Sequence, residues 1–244
     1  FNNIIVWNSR QYDSCWRFIC NDFDWSFALD NDVTHPENDC VFRFFTNKDS
    51  SGWLFAKIVS KLLENIDLRN KFLNRTADLL NSVFLNKPVK QLIDSMHNLY
   101  NDEISRQRDK YPDCMEFRDD SYLDMIDFAE RRPEFLRQHL VEQFNLPGTA
   151  KLKVSSNLKH IKIRINSILT DLNETFEGIY FKEIPIEIKI VNSDNYEFIG
   201  WSRKDLPNET NINLILNDST ELVALFREED GFQPIVVNEI MYKS

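Results

Sequence analysis

Glycine is nearly missing from the first 150 residues. Of five in the chain, only Gly52 and Gly148 fall there. A glycine-rich phosphate loop has no place in that stretch. Neither a G-x-x-x-x-G-K-[ST] loop nor a G-x-S-x-G elbow occurs, which disfavours P-loop and hydrolase chemistry. No apolar run approaches the roughly 18 residues of a membrane-spanning helix. Cations are outnumbered, 29 Lys and Arg against 39 Asp and Glu, for a net charge of −10. An acidic chain repels phosphate backbones unless a basic patch is segregated, so nucleic acid is not an expected partner. His35, His97, His139 and His160 are scattered, with no H-x-x-x-H or H-E-x-x-H spacing for zinc. Cys15, Cys20, Cys40 and Cys114 include no C-x-x-C pair, and buried free thiols are preferred over disulfides or metal. Phe1–Ile5 shows neither an initiator Met nor a signal-peptide pattern, so a processed protein or an excerpt of a longer one is expected, and the compartment stays open.

What is present is core material: 42% hydrophobic residues, 13% aromatic, in 244 residues. That suits one large domain or two smaller ones and argues against disorder. The pattern changes near Pro147-Gly148. Before it, two short β-like runs (Ile4–Trp7 and Ser14–Cys20) lead into an Asp- and Asn-rich loop containing Pro36. Helical periodicity follows. Leu54, Phe55, Ile58, Val59, Leu62, Leu63 and Ile66 form one stripe expected to face the core, with Asp49, Ser50 and Ser51 as candidate caps. A second helix runs from Asp67 to Phe84. A third carries Val89, Leu92, Ile93, Met96, Leu99, Tyr100 and Ile104, with Pro88 in its first turn. A fourth holds Tyr122 to Phe128, and Pro133 opens a fifth that ends at Gly148. Beyond Gly148 the period becomes two. Leu152–Val154, His160–Ile165, Ile184–Ile190 and Ile212–Leu216 read as strands of a β-sandwich of roughly 85 residues. The expected fold class is therefore α+β, a mainly helical part followed by a small all-β sandwich.

The densest local chemistry is Asp22-Phe23-Asp24, directly after an apolar strand. Side chains two apart on an extended segment share a side, so two carboxylates can converge on a hard cation. Solvated turn residues are the simpler alternative. Asn2 and Asn3 lie upstream of the first β-like run. Their amide oxygens suit magnesium, and a turn cap is again the plain reading. Asp119, Asp120, Asp124 and Asp127 read either as a face for a basic peptide or, more simply, as a solvated helix start.

Several spaced motifs together carry a resemblance. Asn2-Asn3-x₃-Trp7, Trp16-Arg17-Phe18-Ile19 and Asp22-Phe23-Asp24-Trp25-Ser26-Phe27 resemble the catalytic heart of the spore-coat CotH kinase-like proteins. Downstream agreement lies in Leu54-Phe55, Lys71–Arg75, Asp78–Asn81, Phe84, Ile93-Asp94 and Phe128-Ala129-x-Arg131-Arg132-Pro133, so it spans about residues 1–146. The resemblance implies an atypical protein-kinase-like fold that phosphorylates protein serines with ATP and a divalent metal, Mg or Mn. By it, Asn3 matches the catalytic-loop asparagine, Asp22 the metal-binding aspartate, and Asp24 the second carboxylate. Asn3 and Asp22 would then serve both metal and nucleotide. A catalytic base about five residues before Asn3 would precede Phe1. The nucleotide-binding lobe and its lysine are absent too. Residues 1–147 are therefore expected to be a C-terminal lobe that is inactive alone, with no catalytic residue assigned.

The β half resembles the repeat modules appended to bacterial surface proteins, through Glu177–Phe181, Ile184-Pro185-Ile186, Tyr196-x-Phe198-x-Gly200-Trp201 and Leu225-Phe226. This gives a module over 148–233. Ile235–Tyr242 is similar to the opening strand of a lamin-tail-like domain, covering 234–244. Tyr196, Phe198 and Trp201 are of the type that stacks on glycans, although core packing is the preferred reading. Two functions follow from these resemblances. One is a protein kinase acting on serine-containing, basic protein substrates. The other is a non-catalytic bacterial surface or assembly scaffold whose β domains bind partners or glycans. A surface or secreted location is favoured over the cytoplasm.

Overall fold

The computed structural model describes residues 4–11, 13–20, 35–46, 54–112, 121–192 and 196–228. The opening apolar runs form an antiparallel ribbon of β1 (Ile4–Asn8) and β2 (Trp16–Cys20). Helices α1 (Cys40–Thr46), α2 (Leu54–Leu62), α3 (Ile66–Leu80), α4 (Asn86–Lys110) and α5 (Ser121–Phe144) follow. Eight strands follow among the described residues, giving an α+β fold. They are β3 (Thr149–Ser156), β4 (Lys162–Ile165), β5 (Ile168–Asp171), β6 (Phe176–Phe181), β7 (Ile186–Asn192), β8 (Tyr196–Trp201), β9 (Asn211–Leu214) and β10 (Thr220–Glu228). The chain divides into two compact units: Phe1–Leu68 with Leu79–Leu146, and Arg69–Asp78 with Pro147–Ser244.

In the first unit, local chemistry sets the helix ends. Asp39 Oδ1 accepts the Phe42 N–H at 2.7 Å and starts α1, a helix that lies in the stretch read from sequence as loop. Asn65 Oδ1 accepts the Asp67 and Leu68 N–H groups at 3.0 and 3.1 Å, capping α3. Pro88 falls in the first turn of α4, where its missing N–H is no loss. At the end of α5, Asn145 takes a φ of +50°. The Leu146 N–H bonds Val141 O at 2.9 Å and the Asn145 N–H bonds Glu142 O at 3.3 Å. This is a Schellman ending, so Asn145 is the helix stop rather than Gly148.

Two further expectations are corrected. Pro133 lies inside α5 instead of opening a new helix. Interior proline costs ~3 kcal/mol, but Ala129 on one side and Arg137, His139 and Leu140 on the other are buried, and packing carries the helix across. The apolar stripes are also not all core. Ala56, Leu63, Leu80 and Ile93 are buried, whereas Ile58, Leu62, Ile66, Leu92, Met96, Leu99 and Tyr100 are exposed. Helical periodicity identified the amphipathic face but not how much of it this chain covers.

The second unit is two four-stranded sheets, in the orders β6-β3-β10-β8 and β5-β4-β7-β9. All neighbours are antiparallel except β3 and β10. Alternation decides the layers. Leu152, Val154, Leu222, Ala224 and Phe226 are buried in the first sheet, and Ile163, Ile165, Ile186, Ile188, Ile212 and Leu214 in the second. One buried face per sheet is the arrangement of a β-sandwich. Trp201 is buried, packs edge-on against Phe198 with centroids 5.3 Å apart, and donates its indole N–H to Glu209 O at 3.0 Å; Phe198 in turn meets Phe226 at 5.4 Å. Gly200 sits beside the β8–β10 register shift with φ +143°, and a Cβ there would lie 2.5 Å from Asn208 Oδ1.

Residues 69–78 of α3 belong to this unit and end on a buried carboxylate. Leu73 and Ala77 are buried, and Asn74 Nδ2 donates to Pro185 O at 2.8 Å. Asp78 is 1% exposed. Its Oδ2 accepts the Ser167 N–H at 2.9 Å and the Ser167 hydroxyl at 2.5 Å; its Oδ1 accepts Tyr180 OH at 3.2 Å and Asn166 Nδ2 at 3.4 Å. A buried charge tolerates its site when it is hydrogen-bonded this fully. Asn166, at φ +46°, also accepts the Glu187 N–H at 2.9 Å, so the same turn joins β4, β5 and β7.

Candidate functional site

The ribbon is the element that bears on the expected site. Its register pairs Ile4 with Cys20 at one end and Asn8 with Trp16 at the other. The residue after Asn3 therefore stands opposite the residue two before Asp22. Asn2, Asn3, Asp22 and Asp24 themselves lie outside the described residues, as do Trp25, Phe27, Asp119, Asp120 and 229–244. At the turn end, Asp13 holds Arg17 through two contacts, 3.0 Å to Nη1 and 2.6 Å to Nη2, and accepts the Cys15 N–H at 3.0 Å. The Arg17 guanidinium, then the Cys15 N–H, hold the Asp13 carboxyl below its ordinary value. Arg17 also lies 5.1 Å from the centroid of the Trp7 ring.

The chain re-enters the described structure at His35, and α5 grips it there. Arg132 Nη1 donates to Pro36 O at 2.9 Å and Asn38 O at 2.8 Å, while Nη2 lies 2.7 Å from Cys40 Sγ. Arg131 pairs with Asp127 at 2.9 Å and with Glu37. His139, buried, places Nδ1 3.7 Å from the capping carboxylate of Asp39. Residues 36 to 40 are thus fixed to α5 by Arg131, Arg132 and His139. The sequence contained Arg131-Arg132 within a motif but gave neither residue a task. The signal was present in Asp127 and Arg131, spaced four apart on one helix face.

Other titratable groups in the helical unit serve packing. Tyr122 OH donates to Asp94 and stacks on His97 with centroids 4.1 Å apart. The hydrogen bond to Asp94, then burial, raise the Tyr122 pKa. Arg137 is buried, donating to Asn81 Oδ1 at 3.2 Å, and burial lowers its pKa against the opposing charge of Glu134. Among the described residues no cluster of three His, Cys, Asp or Glu side chains could hold a metal ion. No helix among them is long and apolar enough to cross a membrane.

Residues 1–136 match the family model described as CotH kinase protein. The match takes in the ribbon, α1 to α4 and α5 past Pro133, which is more than half of the chain. This chain belongs to the CotH kinase protein family. No curated protein and no solved structure matches it.

Proposed function

We propose that the protein carrying this chain is an atypical protein kinase of the CotH type, transferring the γ-phosphoryl group of metal-bound ATP to serine hydroxyls of protein substrates. Asn3, Asp22 and Asp24 are the proposed metal ligands, and Asn3 and Asp22 also face the nucleotide. The donor set is all oxygen, which fits Mg or Mn better than zinc. The bound cation would neutralise and orient the phosphates, a charge an acidic protein cannot offset otherwise. The observation that carries the reading is the Ile4–Cys20 register, because it brings the strand beginning after Asn3 opposite the strand that leads to Asp22. The kinase-like fold, the domain ranges 1–147, 148–233 and 234–244, and a bacterial surface or secreted location belong to the same proposal.

A second reading, a non-catalytic assembly scaffold, draws on the exposed Leu92, Met96 and Leu99 on α4. The two separate in one experiment. The full-length protein is incubated with γ-labelled ATP, Mg or Mn and a serine-rich basic protein, beside Asp22→Ala. The kinase reading expects label on serine in the wild type and at least a hundredfold less in the variant. No label in either supports the scaffold instead, and equal label in both would overturn Asp22 as a metal ligand.

A further inference from the structure

The outer faces of the two sheets treat their cations differently. On the sheet β6-β3-β10-β8, each basic side chain projecting from a strand meets a carboxylate. Lys151 lies 2.5 Å from Glu177, and Lys153 bridges Glu177 at 3.2 Å and Glu221 at 3.5 Å, its two register partners. Arg227 lies 2.6 Å from Glu197, also across the register. The two Lys hydrogen bonds hold Glu177 below its ordinary pKa.

On the sheet β5-β4-β7-β9 the pairing fails. Lys162, Arg164 and Lys189 are exposed, and none forms an ion pair with a described residue. Arg164 and Lys189 stand directly opposite each other in the register. Like charges in that position destabilise a sheet. The row runs Leu169, Arg164, Lys189, Asn211 across all four strands, with Leu169 57% exposed beside the cations. Two carboxylates flank the row without ion-pairing these cations: Asp171, opposite Lys162, accepts the Asn173 N–H at 3.1 Å, and Glu187 accepts Nδ2 of Asn211, the row's last member, at 3.2 Å. An external anion bound here would remove on this face the cost that carboxylates remove on the other.

We propose that this face docks a phosphoserine-bearing peptide, with the phosphate held between Arg164 and Lys189 and Lys162 alongside. A single carboxylate offsets one of two opposed cations, whereas a phosphate dianion offsets both and accepts the guanidinium fork in parallel. Leu169 supplies apolar contact for the residue flanking the phosphoserine. The choice of phosphoserine rests on the phosphotransfer reading above, since that reaction creates such peptides. The face would then retain modified substrate.

Fluorescence anisotropy tests this with a labelled phosphoserine peptide and its unphosphorylated twin, added to the full-length protein without ATP or metal. The expected result is binding of the phosphopeptide, at least tenfold weaker binding of the twin, and roughly tenfold loss in Arg164→Ala and in Lys189→Ala. Lys151→Ala, on the other sheet, should bind as wild type. Both affected variants should melt at or slightly above the wild-type temperature, because the like-charge pair is gone. Equal binding of both peptides, no binding, or wild-type affinity in Arg164→Ala and Lys189→Ala overturns the proposal. Because no phosphate is transferred here, a protein that fails the kinase assay can still pass this one, and the reverse.

Discussion

Asp78 shows what a single side chain holds in this chain. It accepts four hydrogen bonds from Ser167, Tyr180 and Asn166 while almost fully buried. Removing it leaves the Ser167 N–H and the Tyr180 hydroxyl without their acceptor. Each stranded buried donor costs on the order of 1–3 kcal/mol. Asp78→Ala should therefore lower unfolding free energy by about 3 kcal/mol in a urea melt, and a loss under ~1 kcal/mol would contradict the anchoring role. Sequence placed Asp78 only within a family motif. Its partners lie some 90 to 100 positions downstream, beyond the reach of any local pattern. The same limit applies to Arg132, whose acceptors are backbone carbonyls and a thiol at residues 36 to 40. By contrast, the carboxylates Asp22 and Asp24 stood out because they lie two apart just after an apolar run.

Legibility at the level of elements followed the strength of the local period. The ribbon, α2, α3 and α4 were readable, as were β3, β4, β7 and β9, where buried Ile, Leu and Val alternate with polar residues. Strands β6 and β10 lacked that regularity, because half-buried Ile179, Val223 and Leu225 sit between the core positions, while β5 and the first four residues of β8 have no buried position to set a period. The short helix α1 was missed because its start is set by one Asp39 cap and its fixation by Arg132, not by a stripe. Pro133 misled because the interior penalty is local while the burial that outweighs it is not. A consequence can be measured on α1. Arg132→Ala should speed amide hydrogen exchange across residues 38 to 42 by at least tenfold, leaving the sandwich amides unchanged. Unaltered protection at Cys40 and Phe42 would show that Asp39 alone fixes this element.

On the scale of the whole molecule, the two units have different finish. The sandwich buries one face of each sheet and pairs the cations on the outer face of one of them. The helical unit leaves Ile58, Leu62, Leu92, Met96 and Leu99 exposed. Membership of the CotH kinase protein family covers the helical part and not the sandwich. The proposed function requires that Asn3, Asp22 and Asp24 hold a metal ion and, through it, the nucleotide. Thermal stabilisation of the full-length protein by Mg–ATP tests it most directly, comparing wild type with Asp22→Ala and with Asp13→Ala, which removes the same charge at the ribbon's turn end. A saturating ligand at 100 times its Kd stabilises by about 2.7 kcal/mol, a shift of several degrees. The account predicts that shift in wild type and Asp13→Ala, its dependence on the metal, and its loss in Asp22→Ala. An equal, metal-dependent shift in Asp22→Ala would contradict it.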